Sequence, residues 1–183
     1  MQKKINQAVK ALREGGIIAY PTEGVFGLGC DPFNETAVKR LLKIKGRKAE
    51  KGLILIASSW SQARGLIKNQ SSLRAIGEAI QDNNPTTWIF PATKKVPSWV
   101  CGKFNSVAIR VTLHPIAKNI CQKFGGPIIS TSANLVAEAP AKNTKQVREQ
   151  FSAIIDLIVS GRVGALKKTT QIRDAKANKL IRS

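Results

Sequence analysis

The chain has 183 residues, 43% of them hydrophobic, with 30 Lys and Arg against 11 Asp and Glu and a formal net charge of +19. That suits one domain over residues 1–183, with a core of its own and a basic surface that attracts polyanions such as nucleotides, phosphorylated substrates and RNA. Cys30, Cys101 and Cys121 are odd in number and lack Cys-x-x-Cys spacing, and no apolar run nears the roughly 20 residues of a membrane helix; a disulfide framework, a zinc site and a membrane span are set aside, and a reduced, cytoplasmic protein is expected.

In chain order, Ile5, Ala8, Val9 and Leu12 fall at helical spacing, and Gly15-Gly16 can end that helix. Residues 16–20 read as a short apolar strand that stops at Pro21, which has no N–H to give a ladder. Thr22 and Glu23 follow at once, and Gly24, Gly27 and Gly29 read as pliable backbone that permits close ligand approach. Polar groups at the carboxyl end of a buried strand form the usual mouth of an α/β ligand site. Residues 35–45 repeat the helical pattern behind Asn34 as a cap and deliver Lys45-Gly46-Arg47 at a basic end.

Residues 53–57 form a continuous apolar run too short for a helix, which predicts a strand buried on both faces. Two helices are expected over 61–67 and 71–80, then strands over 86–90 and 106–111 joined by a loop containing Pro and Lys. A helix over 116–124, a brief strand over 127–134 ending in hydroxyls and an amide, a short helix over 147–151, and strands over 154–159 and 171–174 complete the pattern. The alternation implies a single layered α/β domain with a twisted mixed sheet flanked by helices.

The acidic residues are few and scattered, so a two-metal site built by the protein is not expected, and a metal would have to arrive with a phosphate ligand. The sole histidine, His114, precedes Pro115, where a structural role accounts for it. Neither a Gly-x-x-x-x-Gly-Lys-Ser/Thr loop nor a Gly-x-Gly-x-x-Gly fingerprint is present. What remains is a set of hydroxyls, amides and cations at element ends: Thr22, Lys45, Arg47, Lys51, Ser106, Arg110, Ser130, Ser132 and Asn134. Such a set binds anions and stabilises charge, which suffices for phosphoryl or adenylyl transfer because positioning and neutralisation provide most of the acceleration. Each group also has a structural reading: Thr22 as a turn residue, 45–48 as a solvated helix end, 130–134 as a polar turn. Arg110, inside an apolar strand, must reach solvent or find an anion.

Taken together, Pro21-Thr22-Glu23, Val25 to Asp31, Lys45-x-Arg47, Gly52 to Ile56, Thr87 to Pro91, Val107 to Val111 and Ser130-Thr131-Ser132-Ala133-Asn134 fall in one order over nearly the whole chain. In that order they resemble the threonylcarbamoyl-AMP synthase family, the YrdC-like domain, in its short bacterial single-domain form. The resemblance implies an open basic cleft and a cytoplasmic nucleotidyltransferase. Its reaction makes L-threonylcarbamoyl-adenylate and pyrophosphate from L-threonine, bicarbonate or CO2, and ATP, with Mg2+ carried on the ATP. A separate machinery then passes the threonylcarbamoyl group to adenosine 37 of tRNAs reading codons that begin with A. By motif, Thr22, Arg110, Ser130 and Thr170 would hold threonine, with Arg110 on its carboxylate. Arg47, Lys51, Ser106, Ser132, Asn134 and Arg182 would face ATP, and Lys45 and Arg47 would serve catalysis. Longer members often carry Arg-Pro-x-x-Asn-Pro-Leu where this chain has residues 47–53 with Lys51, a point charge for phosphate. A different reading, a non-catalytic module for double-stranded RNA or tRNA, draws on the net charge, but one Tyr and six Phe give little material for base stacking.

Overall fold

The chain forms two mixed β-sheets, and β1 (Ile18–Pro21), in the smaller of them, sends alternate side chains into two separate cores. The computed structural model describes residues 1–68, 85–166, 170–177 and 179–182. On one side, α1 (Gln2–Arg13) and α4 (Pro115–Phe124) bury Ile5, Ala8, Leu12, Ala117 and Ile120 with Ile18 and Tyr20. On the other, α2 (Glu35–Ile44) buries Ala37, Val38, Leu41 and Leu42 with Ile17 and Ala19. Period-two alternation thus makes one strand apolar throughout. The Asn34 side chain accepts from Ala37 N at 3.0 Å and caps α2, as its position predicts.

Among the described residues, the smaller sheet has the order β7-β2-β1-β8, with β2 at Phe26–Gly29, β7 at Thr131–Ser132 and β8 at Leu157–Ile158. The larger has the order β10-β9-β4-β5-β3-β6. There β3 (Ile54–Ala57) runs parallel to β5 (Ser106–Val111), and β4 (Thr87–Pro91) pairs antiparallel with β5 as the hairpin reading requires. The remaining strands are β6 (Ile128–Ile129), β9 (Ile172–Asp174) and β10 (Leu180–Arg182). The α/β architecture with mixed pairing agrees with the sequence, although the strands divide between two sheets instead of one.

Several elements differ in detail. The expected strand over 127–134 breaks at Ser130, where the chain leaves the larger sheet after β6 and enters the smaller as β7. The segment expected as a helix over 61–67 is a 3-10 helix, Trp60–Leu66, and a short α3 (Ser98–Cys101) lies inside the β4–β5 connection. The helix expected over 71–80 lies outside the described residues. α5 (Thr144–Phe151) begins three residues earlier than its apolar pattern suggests, capped by Asn143.

The largest difference is β2, because Gly27 and Gly29 are strand residues and not loop. Their value is the lack of a side chain. A Cβ on Gly29 would lie inside van der Waals contact of the Ile129 carbonyl oxygen and 3.0 Å from the Tyr20 hydroxyl, and one on Gly27 would lie 3.2 Å from Ser130 Oγ and from Thr22 Cγ2. Glycine here lets β6 and the Tyr20 ring close on the strand. Gly29→Ala must displace backbone in a fully packed interior, and we expect it to lower unfolding free energy by about 1 to 3 kcal/mol. Denaturant titration checks this: a midpoint equal to that of the wild type would show that the strands are not packed this closely.

Candidate active site

Where the two sheets part at Ser130, a cleft of about 560 Å³ opens, within the range of small-molecule sites. Strand alternation builds its floor. In β5, Val107 and Ile109 enter the core while Ser106, Ala108 and Arg110 line the cleft. The β1–β2 turn supplies Thr22 and Glu23, the sheet switch supplies Ser130 and Ser132, and the far wall carries Arg47, Lys51, Thr170 and Arg182.

Arg110 is 9% exposed, so its charge needs partners. Its Nη1 donates to Thr170 Oγ1 at 3.0 Å, and its Nη2 lies 3.5 Å from Glu23 Oε2. Glu23 is anchored by other groups, since its Oε1 accepts from Thr112 Oγ1 at 2.7 Å and Leu113 N at 3.0 Å. Glu23 Oε2 and Arg110 Nε are buried and make no hydrogen bond. Burial pushes the Glu23 carboxyl up, but Arg110, the Thr112 hydroxyl and backbone N–H groups together hold it below its ordinary value. Thr22 Oγ1 donates to the Val25 carbonyl at 2.7 Å, so this cleft residue also closes the turn.

Arg47 follows α2, and its Nη2 donates to the Gly52 carbonyl at 2.9 Å. Burial lowers its pKa and the charge of Arg182 lowers it further, while Arg182 Nη2 reaches the Thr170 carbonyl at 3.4 Å. Two neighbouring guanidiniums that repel each other on one wall of the cleft make a place for an anion.

Lys45 and Asn134 stand behind this wall and do not line it. Lys45 Nζ donates to the Ser132 carbonyl at 2.8 Å, to Asn134 Oδ1 at 2.9 Å and to the Asn134 carbonyl, and Ser132 Oγ donates to Asn134 Oδ1 at 2.6 Å. The lysine therefore ties the end of α2 to the loop that carries Ser132. The carbonyl acceptors favour the ammonium, whereas burial and the nearby Arg47 push its pKa down to about 8.

Sequence reasoning placed Glu23 at the mouth of a ligand site but gave it no role, and left out Lys142; both line the cleft. Glu23 had a signal, a carboxylate beside Thr22 in a chain with one arginine inside an apolar strand; Lys142, in a polar stretch far from any motif, had none. His114 is buried, its Nε2 3.0 Å from the Arg162 carbonyl oxygen, a structural setting. The three cysteines are free and buried, and burial pushes Cys30 and Cys121 up to about 12, which keeps both as neutral thiols. Among the described residues there is no group of three metal-ligating side chains and no helix long and apolar enough to cross a membrane.

Comparison with known proteins places the chain among relatives of one family. The Sua5/YciO/YrdC family model, described as telomere recombination, matches residues 10–183. The threonylcarbamoyl-AMP synthase of Coxiella burnetii (strain RSA 493) is 48% identical over 98% of this chain and 97% of its own length. P. abyssi Sua5 complexed with L-threonine superposes with a TM-score of 0.87 at 30% identity over 95% of this chain; the chain spans about half, 51%, of that protein. E. coli YciO gives a TM-score of 0.84 at 26% identity, over 100% of this chain and 90% of its own.

The Lys45 setting has a pH consequence. Between the folded value of about 8 and the ordinary 10.5, the unfolded chain holds a proton on Lys45 that the folded chain lacks. Stability contributed by this group is therefore present above pH 10.5 and is lost as pH falls to about 8. Unfolding of the wild type and of Lys45→Met across that window should show the difference; parallel curves would refute the burial of its charge.

Proposed function

The chain belongs to the Sua5/YciO/YrdC family, and from that premise we propose that it is a threonylcarbamoyl-AMP synthase. It joins L-threonine, bicarbonate or CO2, and ATP into L-threonylcarbamoyl-adenylate and releases pyrophosphate. The observation that carries this reading is the cleft itself, where one buried guanidinium among hydroxyls faces a wall of further cations.

The threonine carboxylate pairs with Arg110, while Thr22, Ser130 and Thr170 offer hydroxyls around the rest of the amino acid. Its amine takes up CO2 and loses a proton to become a carbamate. A carbamate oxygen then attacks the α-phosphorus of ATP, and the bond to the bridging oxygen of the β-phosphate breaks. Both reactants are anionic, so cations must offset their repulsion. Arg47, Lys51 and Arg182 do so on the nucleotide side, with Ser106 and Ser132 as hydrogen-bonding groups. Lys45 and Asn134 act through Ser132, which they fix in place. Mg2+ would be held by the phosphates it arrives with and would neutralise their charge, because the one carboxylate lining the cleft among the described residues, Glu23, is engaged beside Arg110. The mixed anhydride formed is a reactive acyl donor, suited to hand its threonylcarbamoyl group to the machinery that modifies adenosine 37 of tRNA.

Pyrophosphate release by the purified protein should require both threonine and bicarbonate. Release of none by folded protein, together with calorimetry that detects RNA but neither ATP nor threonine, would replace the enzyme with a binding module. Arg110→Lys keeps the charge and loses the planar fork, so kcat/KM for threonine should fall by about 2 to 4 kcal/mol, roughly 30- to 1000-fold, with little change in KM for ATP. Unchanged threonine kinetics would remove Arg110 from its assigned role.

A further inference from the structure

Among the described residues, five cations line the cleft, Arg47, Lys51, Arg110, Lys142 and Arg182, and a single carboxylate, Glu23, stands with them. That carboxylate is set against one cation alone. A carboxylate kept only to neutralise Arg110 would be expected to make a close forked pair with it, yet the approach is 3.5 Å and Glu23 Oε2 makes no hydrogen bond. Neutral donors hold the group instead: Thr112 and Leu113 fix Oε1, so the charge has a set position that does not depend on Arg110. Arg110 keeps donors to spare, with Nε unbonded and Nη1 engaged only by the Thr170 hydroxyl. The arrangement leaves a guanidinium able to form hydrogen bonds beside a fixed negative charge.

Such a site treats two kinds of ligand differently. An amino-acid zwitterion has no net charge, so Glu23 scarcely opposes its entry while the guanidinium fork takes its carboxylate. A phosphate chain carries several negative charges, and a carboxylate a few ångströms away, in a cleft drier than water, repels it strongly. We infer that Glu23 is the residue that sorts the two ligands of this cleft, keeping phosphate off Arg110 and so reserving it for the amino acid. The inference rests on the functional reading above, which supplies threonine and a nucleotide as the ligands. Among the described residues lining the cleft, Arg47, Lys51 and Arg182 have no carboxylate beside them and take the phosphates by default.

Calorimetry with threonine and pyrophosphate as probes tests this on the full chain. In the wild type the two should bind together, with the threonine Kd changing less than about threefold at saturating pyrophosphate. Glu23→Gln keeps an acceptor for Thr112 and Leu113 but loses the charge. It should admit a second pyrophosphate that threonine displaces, raise the apparent threonine Kd at least about tenfold, and turn pyrophosphate into an inhibitor competitive with threonine. Thr112→Val loosens the carboxylate yet keeps its charge, and should still exclude pyrophosphate. Entry of pyrophosphate into that variant, or continued exclusion by folded Glu23→Gln, overturns the inference. Wild-type protein that binds no threonine sinks the functional reading along with it, whereas normal threonine binding with either of those two results removes the sorting role alone.

Discussion

A guanidinium cannot be buried without fixed partners, and Arg110 finds its partners on segments from far apart in the chain. It sits on β5 of the larger sheet, Glu23 comes from the β1–β2 turn of the smaller sheet, and Thr170 comes just before β9. Leaving that charge unpaired would cost more than most single contacts return. The sheets are therefore held together at the place where they also begin to diverge, and the cleft is the space left on the open side of that junction. The demand for a folded core and the demand for a site meet in one side chain.

The second constraint is closeness. Ser130 stands where the chain passes from one sheet to the other, and this step brings its hydroxyl against β2 at Gly27. A side chain at Gly27 would crowd the Ser130 hydroxyl and Thr22. The hydroxyl positions of Ser130 and Ser132 thus depend on glycines of β2, distant in sequence but paired with β7, and on the Lys45 latch that fixes the loop after β7. Serines in a short strand segment become usable because packing leaves them one orientation.

Much of this was legible in the sequence because it rests on local patterns. The apolar spacing in α1, α2 and α4, the Asn34 cap and the run at β3 each follow from burial of one face or two, and each appears in place. The partition into two sheets was not legible, since nothing in residues 127–134 marks Ser130 as a crossing; only the pairing of Thr131 and Ser132 with β2 does so. Gly27 and Gly29 misled for a related reason: glycine in a strand looks like loop unless the neighbour that needs its space is known. The site was legible as a set of residue types, and the fold brings most of that set into one cleft. It also moves Lys45 and Asn134 behind the wall, because helix α2 ends where its lysine reaches carbonyls before it reaches the opening.

Charge acts on two scales in this molecule. The excess of 30 Lys and Arg over 11 Asp and Glu produces a field that draws in any polyanion and raises its local concentration, without choosing among them. Choice requires a difference between neighbouring cations, and a uniformly basic cleft has none. Net charge cannot supply that difference, because adding lysines strengthens every phosphate contact alike. A single carboxylate fixed by neutral donors can, because it lowers the attraction at one position and leaves the others untouched. The strong basic balance of the chain and Glu23 in the cleft are thus complementary: the first brings anions to the opening, and the second keeps the deepest cation from being taken by the wrong one.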